Sequence, residues 1–170
     1  FLLRRAGREL HKTTVIEVVE IHLPGPEQTL ADFRLALQGK LAHLPAVFVA
    51  ALLTFALGGL WYSPLLFGPA WMRECGLTEE QTRQAPMART FGLSALAALV
   101  MAFNLAAFIG PKASLSFGLF AGAAAGIGWV AMSMGVTDLF EQRTLKLWLI
   151  NSGYQALSYT LMGGLLGVWK

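Results

Sequence analysis

Asp138 and Glu141 stand three residues apart, a spacing that on a helix puts two carboxylates on one face, where such a pair can do acid–base work. Arg143 and Lys146 follow at once, so ion pairing is the simpler use of the same charges. A second group lies in an uncharged stretch, with Asn151, Gln155 and Ser158 at i, i+4 and i+7 on one helical face and Tyr154 and Tyr159 flanking them. A third is aromatic, Trp61, Tyr62 and Trp71 crowding the dipeptide Ser63-Pro64. By antiparallel counting these groups share one level, so Trp61, Tyr62, Ser63, Pro64, Trp71, Asp138, Glu141, Asn151, Tyr154 and Gln155 are read as the candidate lining of a shallow polar and aromatic pocket under the bend. The simpler account of the same residues is hydrogen bonding between helices with aromatic anchors at a water boundary.

Other chemistry has little support. Cys75 is the one cysteine, which excludes an intramolecular disulfide and any cysteine-based metal site. His11, His22 and His43 have no metal-ligand spacing among them. No nucleophile elbow, glycine-rich phosphate loop or zinc motif occurs, so no catalytic residue, metal or cofactor is assigned.

The elements that carry these residues are set by composition. Only 14% of the 170 residues are charged, against roughly 25% in soluble domains, while 55% are hydrophobic. The charges cluster, leaving four runs without Asp, Glu, Lys or Arg over residues 41–72, 90–111, 113–137 and 147–169. About 20 helical residues cross the roughly 30 Å of hydrocarbon in a bilayer. Four transmembrane helices are therefore expected, at about 44–63, 90–109, 115–139 and 146–169. The net charge of +3 comes from basic residues scattered at the ends of these runs. Nucleic acid needs a concentrated basic face and is excluded as a partner; the lipid bilayer is the expected one.

Residues 1–43 differ from the rest and are read as a poorly specified extension. Thr13 to Leu23 suits a short strand that Pro24-Gly25-Pro26 breaks, and Leu30, Phe33, Leu37 and Leu41 recur at helical spacing as an amphipathic surface helix. No signal-peptide pattern is expected before Leu44. The first span should end near Tyr62, because the residue before a proline leaves the α region and Pro64 has no N–H; Ser63 would then cap a new short turn. In the following loop Gly76 can end a short helix, and Thr78-Glu79-Glu80-Gln81 matches a capping box that starts another. The expected fold is all-α, an integral membrane four-helix antiparallel bundle with short interfacial helices between spans one and two.

Small residues at i, i+4 spacing occur in every span, and the third carries two overlapping G-x-x-x-G units at Gly118, Gly122 and Gly126. Helices in lipid associate by close approach, which small residues permit, so this ladder is assigned to helix packing, at the bundle centre or at a dimer seam. The connections at 110–114 and 140–145 are short, so spans two, three and four should pack in order. Asn104 is expected to meet Tyr159 or Thr160. Arg73, Arg83, Arg89, Arg143 and Lys146 fall on one side of the membrane and both termini on the other, which by the positive-inside rule places the termini outside.

The run Trp61-Tyr62-Ser63-Pro64-Leu65-Leu66-Phe67-Gly68 with Ala70-Trp71-Met72, then Gly76-Leu77-Thr78-Glu79-Glu80, then Leu139-Phe140-Glu141 and Leu147-Trp148-Leu149-Ile150-Asn151-Ser152-Gly153-Tyr154, resembles the bacterial membrane proteins of the domain of unknown function 1761 family (DUF1761). The likeness covers about residues 44–169. It implies a four-span, multi-pass protein of the bacterial inner membrane and brings no activity or catalytic residue with it.

Three functions compete. A non-enzymatic protein that works by helix packing, with itself or with a partner membrane protein, should have Asn151, Gln155 and Asn104 satisfied by neighbouring helices. A small-solute or ion transporter or channel, formed as a homo-oligomer, should have them facing a hydrated cavity. A membrane-embedded enzyme should leave a cleft at Asp138 and Glu141 with Arg143 unengaged.

Overall fold

The structure, a computed structural model, describes residues 44–169. The strand and amphipathic helix expected within residues 1–43 lie outside that range. The described residues are helical, without strands. In order they form α1 (Leu44–Trp61), α2 (Gly68–Cys75), α3 (Glu79–Gln84), α4 (Met87–Ile109), α5 (Leu115–Ala123), a π-helical stretch (Ala124–Ala131), α6 (Met132–Phe140) and α7 (Leu145–Val168). α5, the π stretch and α6 run on as a single helix, Leu115–Phe140.

Among the described residues three helices are long and apolar enough to cross a membrane: Leu44–Trp61, Met87–Ile109 and Leu115–Phe140, with mean hydropathies of 2.0, 2.1 and 1.6. The fourth expected span, α7, reaches 24 residues but is not among them. Its polar positions lower its apolarity, and the burial pattern accounts for that: Ser152 and Ser158 are buried against protein, as are Ile150, Met162 and Leu166. A helix enclosed by its neighbours need not match lipid all round.

The outer surface is apolar and the inner one is built from small residues. Phe48, Leu52, Val100, Phe103, Phe120 and Trp129 are exposed, while Ala46, Ala50, Thr54, Ala98 and Ala102 are buried. That is the arrangement expected where lipid covers the outside and close approach, not apolarity, distinguishes the inside. On α1 the buried small residues recur every fourth position, so the whole stripe Ala46, Ala50, Thr54 faces inward.

α5 and α7 pack antiparallel with their backbones nearly touching. A Cβ on Gly118 would collide with the Gly163 carbonyl, one on Gly122 with the Tyr159 carbonyl, and one on Gly126 would come within 3.0 Å of Ala156 Cα. The glycine ladder is thus spent inside this chain, against α7.

The order of packing differs from the one expected. α4 lies chiefly on α1, α1 also lies on α7, and α7 carries α5, while α4 makes little contact with α5. The short connection between Ile109 and Leu115 holds two helix ends together, yet it leaves the helix axes free to diverge. The buried residues of α4, Ala98, Ala102, Leu105 and Ile109, run from its middle to its end, while its first half is exposed and meets α1 through the Phe91 ring, 6.5 Å from that of Phe55. Asn104 is accordingly exposed and donates to the Val100 carbonyl of its own helix at 2.8 Å. It does not reach Tyr159 or Thr160; the Thr160 hydroxyl bonds instead to the Ala156 carbonyl.

Candidate functional site

The chain leaves α1 through a compact turn. Ser63 does not cap a helix there: its hydroxyl donates to the Leu60 carbonyl at 2.7 Å and accepts from Leu65 N–H at 3.2 Å. Its carbonyl accepts from Leu66 and Gly68, and Phe67 N–H returns to the Trp61 carbonyl. The next helix begins only at Gly68, with Pro69 in its first turn. Gly68 is required by space, since a Cβ would meet the Tyr62 carbonyl and lie 2.8 Å from that of Ser63. Pro64 caps the turn from outside, exposed.

This turn aims Trp61 and Tyr62 at α7. The Trp61 indole N–H donates to the Ile150 carbonyl at 3.0 Å, and its ring lies over Gly153, where a Cβ would come within 3.1 Å. The Tyr62 hydroxyl donates to Oδ1 of Asn151 at 3.0 Å. Its ring sits between Trp71 and Tyr154, at centroid distances of 5.6 and 5.4 Å, both edge-on, a geometry that contributes about 0.5–1.5 kcal/mol per pair. Tyr154 completes the circuit by donating to the Thr54 carbonyl at 3.1 Å, over Gly58. Trp61, Tyr62, Trp71, Asn151 and Tyr154 therefore form one interlocked cluster. Its centre is occupied by its own rings.

The remaining candidates lie apart from it. Glu141 pairs with Arg143 at 3.1 Å, with both side chains about half exposed. Asp138 offers its backbone carbonyl to Arg143 N–H, and its Oδ2 is shielded with no partner. Neither carboxylate hydrogen-bonds to the aromatic cluster. Gln155, one turn beyond Asn151, has a shielded Oε1 without a partner, as have the hydroxyls of Ser152 and Ser158. Cavities of about 510 and 850 Å³ open elsewhere, where Pro111, Lys112 and Ser114 connect α4 to α5. Among the described residues no three His, Cys, Asp or Glu side chains gather where a metal ion would be held.

Two contacts escaped the sequence. Glu74, at the end of α2, accepts the Thr144 hydroxyl at 2.6 Å and the Lys146 ammonium at 3.2 Å. Thr144 also caps α7 by accepting from Leu147 N–H, so one residue both starts α7 and ties α2 to it. The Thr144 hydrogen bond first, and Lys146 second, hold the Glu74 carboxyl below its ordinary range. Burial pushes the neighbouring Cys75 thiol up, so it stays protonated at neutral pH. The second contact is Trp148, whose indole donates to the Ala131 carbonyl at 2.9 Å while its ring covers Gly135. Its only trace in the sequence is a tryptophan one turn inside a polar-faced helix. On the other side of the turn, the capping box reads through: Thr78 Oγ1 accepts from Gln81 N–H and Gln81 Oε1 accepts from Thr78 N–H, and Gly76 ends α2 at φ 66°.

No curated protein and no solved structure matches the chain. The family model described as "Protein of unknown function (DUF1761)" matches residues 45–167, from the second residue of α1 to the last turn of α7, and the chain belongs to that family.

Proposed function

We propose that this chain is a non-enzymatic, four-span protein of the bacterial cell membrane that works by association, first of all with a second copy of itself. In this reading α7 is the fourth span of an antiparallel bundle, the turn at Ser63 and Pro64 lies at the cytoplasmic face with the excess of arginines, and both termini are outside. The observation that carries it is the closure of the aromatic cluster: Asn151, which a solute path would need free, is held by Tyr62. Arg143 is likewise engaged by Glu141, whereas the enzyme reading requires Arg143 unengaged. Asn104 turns a side-chain amide outward from α4, and such a group gains from a second helix, since hydrogen bonds between helices in lipid contribute up to about 1–2 kcal/mol.

In vesicles, Asn104→Cys in a Cys75→Ala background should cross-link to a dimer, and Asn104→Leu should weaken self-association measured by energy transfer between labelled copies. A chain that stays monomeric at every protein-to-lipid ratio would overturn this reading. The unpartnered Ser152, Gln155 and Ser158 favour a second one, a small-solute or ion path completed by a homo-oligomer. Solute flux into reconstituted vesicles, abolished by Gln155→Leu, would select it.

A further inference from the structure

The membrane-spanning helix Leu115–Phe140 is not uniform. Ala124–Ala131 is π-helical, with α-helix before and after it. Such i→i+5 turns are rare, are mostly confined to one turn, and are frequent at functional sites. A wide turn holds one residue more than the α-helix that would span the same gap, so its loss would advance everything beyond it by one position, about 100° and 1.5 Å.

The two ends of this helix are held very differently. Before the stretch, Gly118 and Gly122 lie against the backbone of α7. Beyond it, none of the nine residues of α6 is buried. Two contacts hold this end of the helix: the Trp148 side chain from α7, and the turn after α6, where Arg143 N–H donates to the Asp138 carbonyl at 2.8 Å. Trp148 bonds to the Ala131 carbonyl and lies on Gly135, where even a Cβ would come within 2.9 Å of Nε1. With the extra residue gone, Met134 would occupy the place of Gly135, and its side chain cannot share that place with the indole. Trp148 therefore reads the register: Gly135 beneath it admits the π form, and Met134 beneath it excludes the α form until the indole swings away.

We propose that the π stretch Ala124–Ala131 is a register switch, latched by Trp148 over Gly135, whose release rotates α6 by about 100° relative to α5. The rotation carries Asp138, whose Oδ2 is now shielded and unpartnered, to a new face of the helix at the loop-bearing end of the protein. It alters the surface presented there while Gly118 and Gly122, ahead of the stretch, keep their places against α7.

The test places spin labels at Leu139→Cys and Leu65→Cys, both highly exposed, in full-length Cys75→Ala protein reconstituted in phosphatidylethanolamine–phosphatidylglycerol vesicles. Trp148→Phe keeps a ring but removes the donor and much of the bulk, and should add a second distance to the single distance of the parent. Deleting Gly128, beside which a Cβ would meet nothing, removes the spare residue and should return Trp148→Phe protein to the parent distance. If Trp148→Phe fails to fold, Gly135→Ala disturbs the same contact from the other side and must produce the second distance. A single unchanged distance in the latch variant that folds, or a Gly128 deletion that moves α6 or unfolds the chain, would overturn the proposal.

Discussion

The Tyr62 hydroxyl and Asn151 Oδ1 meet at 3.0 Å across 89 positions of sequence, joining the last residue before the turn to the polar face of α7. The ring of Tyr62 is held independently of this bond, by Trp71 and Tyr154. Tyr62→Phe should keep the rings in place and leave the Asn151 carbonyl without its donor, costing about 1–3 kcal/mol. Asn151→Leu in the same background should recover part of that loss. A double-mutant cycle by unfolding in mixed micelles measures the coupling, and a coupling near zero would remove this bond from the account of the turn.

The helical glycines divide into those that lie against another helix and those that face open space. Gly122 lies against the Tyr159 backbone, so Gly122→Val must push two helices apart and should cost about 1–3 kcal/mol or more, as overpacking does. Gly59 and Gly128 have open space where a Cβ would go. Gly59→Ala should be neutral or stabilising by up to about 1 kcal/mol through helix propensity. Thermal unfolding of both variants in detergent decides it; equal losses would mean that α5 and α7 are not in backbone contact.

Much of this architecture was legible in charge and punctuation. The uncharged runs locate all four long helices, because a charge is costly in hydrocarbon and collects at the ends. The capping box of Thr78 and the left-handed Gly76 are local devices, and local devices can be read from neighbours in sequence. What was not legible depends on distant packing. Ser63-Pro64 looks like the start of a helix, yet the chain needs four more residues of turn before Gly68 fits beneath the Tyr62 carbonyl. Asn104 looks like an inward residue, but α4 pairs with α1 and turns it outward. Loop length bounds only the distance between helix ends, so it cannot say which helices stay together along their length. Of the candidate site, the aromatic residues and Asn151 converge because the turn points them one way, whereas Glu141 is taken up by Arg143 and Asp138 makes no hydrogen bond to the cluster.

Acid should loosen the hold of α2 on α7. The Glu74 carboxyl is held below its ordinary value near 4.5 by Thr144 and Lys146. A carboxyl that is more acidic when docked than when released contributes its full stabilisation above that ordinary value, and loses it as pH falls through the lowered one. A carbon-13 titration of the Glu74 carboxyl should therefore have its midpoint below 4.5 in the parent. In Thr144→Val, which removes the larger cause, the midpoint should move up. A parent midpoint at or above the ordinary value would mean that the contact is absent in the membrane.

Gly68 and Glu74 belong to one mechanical unit, so substitutions at the two should be coupled. α2 is fixed at its start by the fit of Gly68 under the carbonyls of Tyr62 and Ser63, and at its end by the hold of Thr144 and Lys146 on Glu74. Gly68→Ala must open the turn, because its methyl meets backbone, which cannot rotate away as a side chain can. Opening the turn shifts α2 along its whole length and draws Glu74 from its partners. Glu74→Gln should then cost measurably in the parent and little in Gly68→Ala, since the contact it weakens is already lost. Independent sites add, whereas residues coupled through a shared backbone shift depart from additivity. Strict additivity of the two substitutions in micelle unfolding would show that the turn and the Glu74 contact are held separately.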